Sequence, residues 1–78
     1  MKIKNDIVSV GTASNVGTAI FQVDSKSKGF LFPRMTTTEI NNISNPADGL
    51  TVYNTTIHHL CFYDLGETHW KKVNASNM

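Results

Sequence analysis

A chain of 78 residues, 40% of them hydrophobic, with a formal net charge of +1 and one cysteine, Cys61, allows one small domain. It buries only about 60% of its unfolded surface, and one cysteine makes neither an intramolecular disulfide nor a tetrahedral thiolate site, so self-association is the remaining way to enlarge the core. The seven Lys and Arg residues are scattered and make no basic field, and no apolar run reaches signal-peptide or membrane-spanning length, so nucleic acid, membrane insertion and an export signal are all unexpected.

Residues 3–10 read as a strand whose convincing part is Ile7 to Val10, because Asn5 and Asp6 suit a strand poorly. Gly11 ends it, and Thr12 to Thr18 forms a small-residue surface loop. Segment 1–18 is therefore set apart as a strand and loop, a candidate attachment segment. Ala19 to Asp24 alternates, with Ala19, Phe21 and Val23 on one face and Ile20, Gln22 and Asp24 on the other, which predicts a half-buried strand opening a β module over 19–73. Ser25 to Gly29 turns the chain.

An apolar extended run, Phe30-Leu31-Phe32, stops at Pro33, whose ring fixes its own φ and holds Phe32 extended. Thr36 and Glu39 have the spacing of a capping box, which predicts a short helix near 37–44 with Ile40 and Ile43 on one face. Asn45-Pro46 closes that helix, and Pro46-Ala47-Asp48-Gly49 is turn chemistry. Three strands follow as a meander: Leu50 to Asn54, His59 to Tyr63 and His69 to Val73. The middle strand is apolar on both faces, so both are expected to touch protein. Residues 74–78 form a polar tail, and no internal repeat stands out.

The order of these signals resembles a known module. Asp24-Ser25-x-Ser27-Lys28-Gly29-Phe30-Leu31-x-Pro33-Arg34-Met35-Thr36-Thr37, a short helix ending in Asn45-Pro46-Ala47-x-Gly49-Leu50, then Val52-Tyr53-Asn54-Thr55, a later Tyr63 and Trp70 together resemble a recurrent module of bacteriophage tail-fibre and receptor-binding proteins, seen also in Bacteroidetes-type surface proteins. The resemblance covers about Val23 to Trp70. Phe32 departs from it, standing where a small residue or proline is common, as does the His-rich hairpin in place of Asn, Thr and Gly. What it implies is a mainly β, small intertwined module with one short helix, homotrimeric and without catalysis of its own. Burial against copies of itself also suits a short chain with apolar strands. On this reading Phe30, Leu31, Phe32, Pro33, Met35, Ile40, Ile43 and Trp70 make the trimer interface and core. Arg34 has Glu39 and Asp48 as candidate partners.

Enzymatic chemistry is not expected. His58 and His59 are adjacent on a strand and point to opposite faces, so one chain cannot chelate with both. One of them on a threefold axis is the only arrangement that would supply a metal site, and the expectation is no metal and no cofactor. Cys61 lacks the orienting partners of a nucleophile and reads as a buried thiol. The carboxylates sit in cap and turn contexts, the glycines are isolated, and the three Asn-x-Ser/Thr triplets at Asn42, Asn54 and Asn74 occur in a Thr- and Asn-rich chain where chance explains them.

Tyr53 and Tyr63 can stack on a sugar or fill a core, while Trp70 is expected in the core. The candidate receptor-binding residues are Tyr53, Asn54, His58, His59 and Tyr63, with loops 11–18 and 54–59 and turn 64–68 as contact surfaces. The expected function is a virion structural and adhesion module of a tail fibre or spike, made in the bacterial host cytoplasm. Its partners would be itself, another tail or spike protein, and a host cell-surface glycan or protein. The alternatives are a fragment or accessory of a glycan-degrading tailspike, and a purely structural trimeric module of a bacterial surface protein.

Overall fold

The computed structural model describes residues 2–4, 7–11, 14 and 16–78. The chain forms two compact units, Met1–Phe30 and Leu31–Met78. The division falls after Phe30, whereas the sequence reading placed one after residue 18. The reason is strand pairing, which ties the segment after the loop back to the first strands.

In the first unit, β1 (Lys2–Lys4), β2 (Ile7–Val10) and β3 (Phe21–Val23) form a sheet in that order. The expected strand over 3–10 is two strands, antiparallel with Lys4 opposite Ile7. The structures of Asn5 and Asp6, and of Thr12, Ala13 and Asn15 in the predicted loop, lie outside the described residues. β3 runs parallel to β2 with Ser9 opposite Gln22. Ile7 and Ser9 are buried, and Ser9 Oγ has no hydrogen-bond partner among the described residues.

The two faces of β3 differ in burial. Phe21 and Val23 are exposed, and Gln22 is the sheltered residue. Its amide is spent locally, Oε1 accepting from Val16 N at 2.7 Å and Nε2 donating to Ser14 O and Asp24 Oδ2 at 3.0 Å. Phe21 and Phe30 meet edge to face with centroids 5.9 Å apart. Gly11 has φ +81°, and a Cβ there would run into the Asp24 carbonyl oxygen, so this crossing admits only glycine.

In the second unit, β4 (Arg34–Met35), α1 (Thr37–Asn41), β5 (Thr51–Asn54), β6 (His59–Asp64) and β7 (His69–Lys72) give a four-stranded sheet in the order β4-β5-β6-β7. The expected meander is present almost to the residue. What precedes it differs from the sequence reading. Pairing starts at Arg34 and not in the apolar run, with β4 parallel to β5, Arg34 beside Tyr53 and Met35 beside Asn54. Residues 36–50 are the crossover that a parallel pair requires.

Within that crossover the capping box is complete: Thr36 Oγ1 accepts from Glu39 N at 3.2 Å, and Glu39 Oε1 accepts from Thr36 N at 2.8 Å. The helix is shorter than the expected 37–44. Asn42 N donates to both Thr38 O and Glu39 O at 3.2 Å, and Ile43 N to Ile40 O at 3.1 Å, a final turn tightened to i→i+3 bonds. Asn45 then adopts φ +48° before Pro46. Leu50 N closes the next turn on Ala47 O, with Gly49 at φ +82° where a type II turn needs positive φ.

Ile40, Val52 and Cys61 form the core, with Met35 and Trp70 packed against it. Burial of Ile40 or Val52 is worth about 1.5–3 kcal/mol each, a small sum for a unit that leaves Leu31, Phe32, Ile57, Leu65 and Val73 exposed. Among the described residues, no helix is long and apolar enough to cross a membrane.

Candidate functional site

The ladder registers sort the second sheet into two faces, because residues opposite one another share a side. Val52 with Cys61, Asn54 with His59, and Tyr63 with Trp70 lie on the side that carries the core and α1. The other side carries Arg34, Tyr53 and Leu60 in one row, continued by Val73, whose N–H donates to Leu60 O at 2.7 Å. A second row holds Thr51, Phe62 and Lys71, and a third Asp64 and His69. Tyr53, Leu60 and Phe62 are half-buried. Neighbouring strands shield their flanks, and within this unit α1 sits on the opposite side, so their outer surface stays open.

A charged corner borders that apolar strip. Lys71 Nζ lies 2.9 Å from Asp64 Oδ2 and 3.0 Å from Glu67 Oε2. The hydrogen bond from Lys71 holds the Asp64 carboxyl below its ordinary range, helped by the Glu67 N–H. The bonds to Asp64 and then Glu67 raise Lys71 above the usual lysine value. The suggested pairing of Arg34 with Glu39 or Asp48 is absent within the chain: Glu39 accepts from Thr36 N, and Asp48 Oδ1 accepts from Leu65 N at 2.9 Å. Among the described residues Arg34 makes no ion pair.

The two hairpins are built alike. Asn54 and Asp64 each precede a four-residue turn, 55–58 and 65–68, whose last residue has positive φ, His58 at 58° and Thr68 at 56°. In each, the side chain before the turn accepts from the turn's own N–H groups. Asn54 Oδ1 takes Thr56 N at 2.9 Å and Ile57 N at 3.2 Å, and Asp64 Oδ1 takes Glu67 N at 3.3 Å. This local equivalence recurs at a spacing of ten residues, and Asn54 and Asp64 are its signal in the sequence. In a meander the two tips lie at opposite ends of the sheet, so loop 54–59 and turn 64–68 are separate surfaces.

The residues proposed for receptor contact are dispersed. Tyr53 is on the open face and His58 is exposed at a tip. His59 is on the core side with Nδ1 3.2 Å from Val73 O. Tyr63 packs edge to face on Trp70 with centroids 5.4 Å apart. Asn54 has to be removed from that set: it is 5% exposed, and its Nδ2 donates to Thr37 Oγ1 at 2.9 Å.

The expected interface residues divide as well. Met35, Ile40 and Trp70 are spent in the chain's own core, Pro33 is exposed, Ile43 is half-buried, and Phe30, Leu31 and Phe32 are exposed. Cys61 is buried with Sγ 3.5 Å from His59 O, and burial pushes its thiol up against a smaller lowering by Lys72. Among the described residues no three His, Cys, Asp or Glu side chains come together as metal ligands.

In comparison with known proteins, residues 9–78 match a family model described as a phage tail like trimerisation region. No curated protein and no solved structure matches the chain.

Proposed function

The chain belongs to the family of phage tail like trimerisation regions, and from that membership we propose that it is a non-catalytic module whose three copies hold a tail fibre or spike together and form or support its host-recognition tip. One observation favours this over an enzyme. Every carboxylate of the second unit is engaged within the chain: Glu39 with Thr36 N, Asp48 with Leu65 N, Asp64 with Glu67 N and Lys71, and Glu67 with Lys71. Each braces a cap, a turn or a hairpin. None is left for the paired acid and base roles that a glycan hydrolase requires.

Rigid hairpins with exposed tips suit contact better than chemistry. His58 and Ile57 at one end of the sheet, and Leu65 at the other, are the residues a partner would meet. One end joins the module to the rest of the fibre and the other faces the host surface. The partners are therefore further copies of the chain, another tail or spike protein, and a host glycan or protein, in a virion assembled from proteins made in the host cytoplasm. The test is the binding of fluorescently labelled protein to candidate host cells, with glycan digestion assayed in parallel. Cell decoration that weakens in I57S/H58S supports recognition. Bare cells reduce the module to a structural joint, and release of oligosaccharides contradicts the non-catalytic reading.

A further inference from the structure

We infer that the open face of the second sheet is the surface through which three copies of this chain meet, with the β4 edge of one copy against the β7 edge of the next. This rests on the trimeric reading above and specifies which residues perform it. Three observations point to this face.

The first is that three of the residues expected at the interface are unavailable. Met35, Ile40 and Trp70 already make the core on the helix side. The second is continuity of apolar surface. Tyr53, Leu60, Phe62 and Val73 adjoin across three neighbouring strands, and α1 covers only the other side. A unit with so small a core gains most by closing a second one against its copies.

The third lies in the edges. Contacts around a threefold axis are heterologous, so opposite edges of the sheet meet. On the open face Arg34 stands at the β4 edge without an ion pair among the described residues, and exposed Val73 ends the same row at the β7 edge. The very short β4 is an edge that natural sheets protect or cover, and a neighbouring copy covers it.

Sedimentation of the full chain and its variants tests the assignment. Wild type is run first, and a monomer there overturns the trimeric reading itself before any variant is made. With a wild-type trimer, F62K is expected to sediment as a monomer with unchanged far-UV circular dichroism, its association weakened by about a hundredfold or more. L31K, which charges an exposed residue off this face, is expected to remain trimeric. An F62K trimer of wild-type affinity, or dissociation of L31K in its place, overturns the assignment. Should F62K lose its β signal, the exposed residue at the β7 edge decides: V73S is expected to weaken association about tenfold with unchanged circular dichroism. A V73S trimer of wild-type affinity counts against the proposed edge pairing.

Discussion

The side-chain amide of Asn54 donates to the Thr37 hydroxyl at 2.9 Å, and Thr37 N in turn donates to Thr56 Oγ1 at 3.2 Å. The first hairpin turn and the first turn of the helix are thereby locked together, with Asn54 buried between them. Asn54→Ala strands several polar groups there, at about 2 kcal/mol. A urea melt is expected to show that loss. Asn54→Asp is expected to cost less, because a carboxylate still accepts from Thr56 N and Ile57 N and the Thr37 hydroxyl can donate to its second oxygen.

The capping box gives a second, independent expectation. Thr36→Ala removes the acceptor for Glu39 N and should cost about 1 kcal/mol, whereas Glu39→Gln keeps an oxygen for Thr36 N and should cost less. Paired denaturant midpoints read both. Equal losses would mean that the reciprocal bonds do not hold the helix start.

Gly11 and Gly49 share a positive φ but differ in surroundings. A Cβ at Gly49 meets nothing within 4 Å, so Gly49→Ala should cost about 1 kcal/mol of backbone strain. Gly11→Ala forces a Cβ into the Asp24 carbonyl and should part β2 from β3. Hydrogen exchange of the Asp24 amide, bonded to Val10 O at 2.9 Å, is expected to speed up in Gly11→Ala and to stay as in wild type in Gly49→Ala.

The Lys71 bridge sets a pH dependence with two limbs. Asp64 has a depressed folded value, so its contribution is complete above the unfolded carboxylate value near 4 and is lost as pH falls through the folded one. Lys71 has a raised folded value, so its contribution is complete below the unfolded value near 10.4 and is lost as pH rises through the folded one. Thermal melts of wild type and Asp64→Asn across pH should therefore converge at both extremes and differ most between them. A constant difference across that range would contradict the bridge.

Local chemistry was legible in the sequence, and nonlocal pairing was not. Thr36 and Glu39 announce the helix start because both partners lie within one turn, and the alternation of His59 to Tyr63 between turn residues places the meander. Arg34 and Met35 carry no pattern of their own, and their strand exists because β5 returns beside them. Alternation likewise gives the two faces of residues 19–24 without saying which is sheltered, and the local bonds of Gln22 decide it. Asn54 was read as a contact residue from its place beside a turn. Its side chain points inward because an Asx residue before a turn serves the turn's own N–H groups first.

The central claim is that this unit completes its core only against copies of itself. Light scattering on the untagged chain across a dilution series tests it most directly. The expected result is three times the 8.6 kDa chain mass, persisting on dilution and lost together with the β signal in denaturant. A well-folded species at the single-chain mass would contradict it.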